Sequence, residues 1–389
     1  MKPFVNFFEK TANSVNVFFD AFVEIDLNAI KMNIAEIKKT NADIKIMAVV
    51  KSNAYGHDII EISKFLSKEN MVSAFAVDNI DEAILLRKNG IQEDILLLRH
   101  TFPERFKELT EYDLIQTVDS KIYAEQLNNS SNARVHIEID TGMGRTGILA
   151  DDVVRCVDEI RTMFRLPNIH IEGIFTHLSV ADGITLEEDI YTKKQIQTIK
   201  NVYGCLLDFG IKIEHCHFLN SAGFLYHYDV ASTYVRLGII LYGLRPNFHK
   251  GVSLNLHPAL SVKARISYIK IVDKGTYIGY GRTYCTEKRT VIATIPIGYA
   301  HGYPRALSNK SKVIVNDVLA PTIGTICMGN MMIDVTDIEN VNVGDVVTVV
   351  GSSEHEKITL DSLANDIGSI NYELACRFSF VLPKVIVNR

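Results

Sequence analysis

The chain is 389 residues long, 47% apolar and 22% charged, with 41 basic against 46 acidic side chains and a formal net charge of −5. That length suits two domains; no basic block offers a nucleic-acid surface, and no apolar run approaches the roughly 18–20 residues of a membrane span. The 6 cysteines are scattered without a C-x-x-C pair, which fits free thiols in a reducing, cytoplasmic compartment.

Residues 1–21 break Phe-rich patches with Glu9, Lys10 and Asp20 and lack the continuous apolar core of a secretory signal, so they read as an N-terminal extension. From 22 to 248, short apolar runs alternate with amphipathic ones. Strands are expected at 22–27, 44–50, 74–77, 94–99, 114–118, 134–139, 170–177 and 214–219, and 233–239 ends another. Helices are expected between them at 58–66, where Ile59, Ile62, Phe65 and Leu66 share a face, and at 79–88, 151–164 and 187–209. No G-x-G-x-x-G follows the first strand, and about eight strand–helix repeats in about 250 residues point to an α/β fold of the (β/α)8 barrel type. After Arg245-Pro246 the pattern changes. A linker over 244–255 leads into β-rich runs between 260 and 350, with one late helical stretch at 359–368, so 249–389 reads as a smaller, mainly β domain.

In AVVKSNAYGH, residues 48–57, an apolar strand ends on Lys51. A buried ammonium is costly unless paired, neutralised or made covalent. At the C-terminal end of a barrel strand, where barrel active sites are built, a desolvated lysine can form a Schiff base with a carbonyl. The plainer reading is a lysine capping a strand with its amine in water. Tyr55 and His57 on the following turn, the hydroxyl of Ser221 after the 214–219 strand, and the amides of Gly238 and Ile239 after the next one suit an anion. Each is weak alone; with the strand-end lysine they suggest pyridoxal phosphate. Glu214-His215-Cys216-His217 places two histidines on one strand face, but two ligands without a third do not make a metal site, and none is expected. Asp140 and Glu24 read as structural polar groups inside the barrel.

Over nearly the whole chain, from Phe22 to Pro383, the sequence resembles the alanine racemase family of fold-type III pyridoxal-phosphate enzymes. The resemblance rests on VEIDLNAI, AVVKSNAYGH, IDTGMGRTG, THLSVAD, HFLNSAG, VRLGIILYG, GYGRTY, IPIGYA and GYPR, ICM and INYE. It implies an N-terminal barrel, a C-terminal β domain and a head-to-tail homodimer acting on a small amino acid, with no nucleic acid or membrane involved. Carried over by motif, Lys51 would hold pyridoxal 5′-phosphate and then act as one catalytic base. Tyr280, reaching in from the partner subunit, would be the other. Arg236 would meet the pyridine nitrogen, and Tyr55, Ser221, Gly238, Ile239 and Tyr372 the phosphate. His177 and His217 would orient the ring and its arginine. Arg145 and, from the partner subunit, the backbone of Met328 would meet the substrate carboxylate.

The sequence departs from the family pattern at four places. Glu138 stands where a carbamylated lysine is common, Gly329 where C-M-D is usual, His301 in G-Y-A-H-G, and Thr325 where an arginine precedes the C-M pair. These losses of charge bear on the substrate, with Asp182, Tyr299, Arg305 and Tyr372 retained. Tyr372 favours alanine over serine; a racemase of serine or of a broader set of amino acids is the alternative. A decarboxylase of basic amino acids would need a glycine-rich G-G-G loop and a C-E-S-x-D-like motif, both missing here. A non-catalytic pyridoxal-phosphate-binding protein would resemble the barrel alone.

Overall fold

The computed structural model describes residues 19–229, 231–247, 250, 254–379 and 381–388. Most of the expected 1–21 extension and part of the 244–255 linker lie outside the described residues. The first strand, β1 (Ala21–Asp26), leads into α1 (Leu27–Lys38). The barrel strands are β2 (Ile46–Val49), β3 (Ala74–Val77), β4 (Asp94–Leu97), β5 (Ile115–Val118), β6 (Ala133–Asp140), β8 (Ile169–Phe175), β9 (His215–His217) and β10 (Val235–Leu237), with the two-residue β7 (Ile148–Leu149) alongside β6. They run parallel in the order β10-β2-β3-β4-β5-β6-β8-β9, and a parallel bridge from Leu219 to Val235 joins the two ends of the ring. Strands such as IMAV and AFAV are buried at every position, as a parallel sheet covered on both faces requires.

Between the strands lie α2 (Lys51–Tyr55), α3 (Ile59–Lys68), α4 (Ile80–Lys88), α5 (Phe106–Glu111), α6 (Lys121–Asn128), α7 (Val153–Met163), α8 (Leu186–Asp208) and α9 (Ser221–Tyr226). Side-chain caps set where several begin: Asp58, Asn79, Ser120 and Asp152 each accept a first-turn amide, and Thr185 forms a reciprocal box with Glu188.

The barrel interior is divided. Met47, Val49, Ala74, Ala76, Leu96, Ile115 and Tyr234 form an apolar cluster. Opposite them, β6, β9 and β10 bury His136, His217 and Arg236.

One expected barrel strand is corrected. Residues 22–27 belong to β1, which pairs antiparallel with β11 (Leu260–Arg265) and, by the C-terminus, parallel with β21 (Lys384–Val387). The reason is legible in its alternation: Glu24 and Asp26 are only partly buried between apolar neighbours, the pattern of a one-sided sheet rather than a barrel stave. Glu24 therefore lies outside the barrel and meets Lys263 Nζ at 3.1 Å. The eighth stave is the three-residue β10.

The C-terminal domain continues through β12 (Tyr268–Val272), β13 (Tyr277–Ile278), β14 (Tyr284–Cys285), β15 (Thr290–Ile295), β16 (Lys312–Val315), β17 (Val318–Ile323), β18 (Met331–Asp334), β19 (Val346–Ser352) and β20 (Lys357–Ile358). Its main sheet runs β12-β15-β18-β17-β16-β19-β11-β1-β21, with β20 on β19. The β16–β17 hairpin turns at Asn316 and Asp317, whose φ values of 47° and 62° are what a tight two-residue turn of the right twist demands. The late helical stretch is α10 (Leu360–Asn365), and beyond it lies the unexpected α11 (Asn371–Ser379), which packs against α2 at the barrel mouth.

Candidate active site

A cavity of about 670 Å³ opens at the C-terminal ends of the barrel strands. Lys51, directly after β2, lines it with Tyr55, Arg145, His177, Ser221, Arg236, Gly238, Ile239 and Tyr372. The turn that follows the lysine is left-handed: Ser52, Asn53, Ala54 and Tyr55 all have φ between 53° and 56°. Four such non-glycine residues in succession are intrinsically unfavourable. The fold holds them by closing Ala54 N–H on Val50 O, having Asn53 Oδ1 accept from Ile59 N–H, and stacking His57 on Tyr242 at 4.4 Å. The turn sets Tyr55 over Gly238.

That contact requires the glycine. A Cβ at 238 would lie 2.4 Å from the Tyr55 hydroxyl. The Gly238 amide donates to Ser221 Oγ at 3.1 Å, so hydroxyl, amide and phenol converge on one point. Tyr372, brought by α11, completes the group with its ring 6.1 Å from that of Tyr55. Burial pushes both phenols well above the ordinary tyrosine range, so they remain neutral donors.

Arg236, on β10, is buried. Desolvation lowers its pKa to about 10, still far enough above neutrality to leave it charged. Its NH1 donates to His217 Nδ1 at 2.8 Å and to His217 O at 3.0 Å, and NH2 donates to Thr176 O at 2.7 Å. His217 lies beneath the cavity floor, stacked on Phe175 at 5.1 Å with only 5° between the planes. Its Nε2 meets His136 Nδ1 at 2.9 Å, so neither ring nitrogen is left for a metal. Burial among arginines holds His177 and His217 far below the usual histidine range, hence neutral.

Glu138, two residues before the end of β6, is 4% exposed and lies beside two cations. Its Oε1 is 3.8 Å from Arg145 NH2, and its Oε2 accepts from Thr146 Oγ at 2.7 Å. Burial raises its pKa, while Thr146, Arg145 and Arg236 oppose that rise. Asp140 is structural, as expected: its Oδ1 takes the amides of Gly142 and Met143, both at 2.9 Å, and so shapes the loop that carries Arg145.

Of the expected residues, His217 does not line the cavity, and neither do Tyr280 and Met328, which were expected from the partner subunit. Tyr280, between β13 and β14, is 71% exposed, and Met328 is 62% exposed. Conversely, Asp78, Arg99, His100 and Asp119 line the cavity and went unremarked in the sequence. Asp78 Oδ1 is 3.8 Å from Lys51 Nζ, and its other oxygen pairs with Arg99. They share the signal that marked Lys51: each directly or nearly follows a barrel strand. His136 was also missed, because a histidine inside an apolar strand carries no local mark.

Comparisons with known proteins agree along most of the chain. Residues 25–246 match the family model "Alanine racemase, N-terminal domain", and residues 259–386 match "Alanine racemase, C-terminal domain". An "Alanine racemase" of Methanococcus maripaludis is 41% identical over 375 residues, covering 94% of this chain and 98% of that protein. "Alanine racemase 1" of Clostridium acetobutylicum is 40% identical over 372 residues, covering 94% and 95%. The solved alanine racemase of Clostridium difficile 630 superposes with a TM-score of 0.89 at 36% identity, over 96% of this chain and 97% of that one.

Proposed function

The chain belongs to the alanine racemase family and is an amino-acid racemase, and from that premise we propose that it interconverts L- and D-alanine with pyridoxal 5′-phosphate and two bases, Lys51 and Tyr280 of the partner subunit. The observation that carries this reading is the convergence of Lys51, the Tyr55–Ser221–Gly238 group and the buried Arg236 on one cavity. The residues fit the cofactor. A phosphate would take the Ser221 hydroxyl, the Gly238 and Ile239 amides, and the Tyr55 and Tyr372 phenols, where any side chain at 238 would intrude. A pyridine nitrogen would meet Arg236.

When bound, the cofactor supplies an electron-withdrawing ring that acidifies the substrate Cα–H. Lys51 Nζ takes or returns that proton on one face and Tyr280 Oη on the other, which is what inversion at a single carbon needs. Arg236 has only donors, so a ring nitrogen facing it stays unprotonated and the ring withdraws less strongly. That restraint favours return of the proton over side reactions. His177 offers a neutral, flat imidazole beside the ring. Arg145 meets the substrate carboxylate, with Glu138 supplying a permanent negative charge behind it and so no need for carbon dioxide. Tyr372 narrows the space for the substrate side chain, which favours alanine over serine.

The distant positions of Tyr280 and Met328 support a homodimer. Tyr268, Ile271, Tyr277 and Met328 are all exposed on the same domain, and a second copy seated there would bury them while delivering Tyr280 to a neighbouring barrel. Among the described residues no helix is long and apolar enough to cross a membrane. The test is incubation of the cofactor-loaded protein with each L-amino acid in deuterium oxide, following Cα exchange and chiral products. Fast exchange and racemisation of alanine alone is expected. Equal rates on serine or larger amino acids would install the broader reading, and no exchange with any would leave a cofactor-binding protein without turnover.

A further inference from the structure

The contacts beneath Arg236 continue past the arginine's own partner. Arginine has no acceptor, so the 2.8 Å contact from NH1 makes His217 Nδ1 the acceptor. His217 is neutral, and its one proton therefore sits on Nε2. That N–H faces His136 Nδ1 at 2.9 Å, which must accept it. We propose that His136 is a positioning residue for Arg236: by accepting the Nε2 proton it locks His217 in the one tautomer whose other nitrogen can hold the guanidinium. The proposal rests on the reading of the chain as a racemase whose cofactor meets Arg236.

A second observation shows that the barrel is shaped around this ring. The β6–β8 ladder slips register at His136, passing from Val135 opposite Ile171 to His136 opposite Gly173. Such an irregularity beside a site re-aims a side chain. At Gly173 a Cβ would fall 2.8 Å from three atoms of the His136 imidazole, so only glycine leaves room. Burial and the neighbouring His215, Arg134 and Arg236 keep His136 uncharged, as an acceptor here must be. An interior filled for volume alone would use a leucine or phenylalanine, as the opposite half of the barrel does with Met47 and Leu96.

Nitrogen-resolved spectra of histidine-labelled, cofactor-free protein read the tautomers directly. In the wild type His217 should carry its proton on Nε2 alone; a proton on Nδ1 overturns the proposal. His136→Asn keeps an acceptor near the place of Nδ1 and should retain one His217 tautomer and most of the turnover. His136→Leu should give mixed His217 tautomers and, in the loaded enzyme, about tenfold lower kcat with KM little changed. A merely space-filling role predicts the opposite order, leucine tolerated better than asparagine, and that result, or a leucine variant with one tautomer and undiminished kcat, overturns the proposal. A wild type that shows the Nε2 tautomer but never racemises would sink the racemase reading and leave the hydrogen-bond assignment standing.

Discussion

The barrel mouth and the C-terminal domain contribute to the candidate site in opposite ways. Around Lys51 a single chain supplies a cavity, a group of donors closed over Gly238, and a buried arginine braced by two histidines. Tyr280 stands 71% exposed between two-residue strands and does not line that cavity. α11 is the exception, a C-terminal element that docks on its own barrel and delivers Tyr372. The contrast teaches that the half of the proposed chemistry around Lys51 is prebuilt within a chain, while the half assigned to Tyr280 would, on the proposed reading, become a site only on assembly. Preorganisation concentrates where the cofactor would sit, and the proposed second base is left without it.

The largest expected effect tests that division. Lys51→Ala should be colourless and lose kcat by about a thousandfold or more. Tyr280→Phe should keep its cofactor and colour, lose racemisation by about a hundredfold, and still exchange the Cα proton of the enantiomer that Lys51 serves. Mixing the two inactive proteins should restore part of the activity, since a mixed dimer has one intact site and one doubly damaged one. Subunit exchange without recovery would place both bases in one chain and break the comparison.

Glu138 gives the next effect, confined to the barrel side. Glu138→Gln removes the charge between Arg145 and Arg236 while keeping an acceptor for Thr146 Oγ. Loss of a charge-assisted partner should raise the KM for alanine about tenfold. Wild-type activity should be the same with and without added bicarbonate. Unchanged kinetics in the variant would refute the pairing of Glu138 with Arg145, and wild-type activity lost on degassing would refute the independence from carbon dioxide. A smaller change is expected for Gly238→Ala, which pushes on the Tyr55 hydroxyl. Cofactor affinity, read by absorbance titration, should fall several-fold, less than the lysine loss because the phenol can swing away.

The same two regions differ in how legible they were. The barrel was readable because its staves are continuous apolar runs and its site residues sit at strand ends; Lys51, Ser221 and Arg236 could be placed from position and motif. The reading failed where local pattern and long-range pairing disagree. β1 follows a strand-like pattern at the right place in the chain, yet its alternation suits the C-terminal sheet, whose strands lie more than two hundred residues later. The expected stretch at 359–368 covers α10 alone, and α11, which begins at Asn371 after a short break, was missed. The turn after Lys51 was expected, but not its left-handed course, since Ser-Asn-Ala-Tyr has no glycine to announce it. His136 was invisible because its partner lies 81 positions away.

A last effect concerns acid, and it separates the two regions once more. His57 and His136, both in the barrel, are buried and neutral, with pKa values lowered to about 4 and about 3, desolvation being the main cause. His177 and His217 are pushed down in the same direction. In the C-terminal domain the described histidines are His257, His301 and His355, and none is buried. In the unfolded chain each barrel histidine regains a pKa near 6.5 and binds a proton that the native state refuses. Their contribution is therefore fully present above about pH 6.5 and is lost as pH falls from there toward about 4. For one such histidine the first pH unit below 7 costs under about 1 kcal/mol, and further units cost about 1.4 kcal/mol each until the native ring titrates. Urea unfolding followed by circular dichroism at pH 8, 7, 6 and 5 should show little change down to 7 and then a steepening loss. His57→Gln should reduce the slope by the share of one histidine, and unfolding at pH 5 should take up close to one proton fewer than in the wild type. Stability flat from pH 7 to 5 would mean that the barrel histidines charge without unfolding, and that the barrel interior is as open to water as the surface of the C-terminal domain.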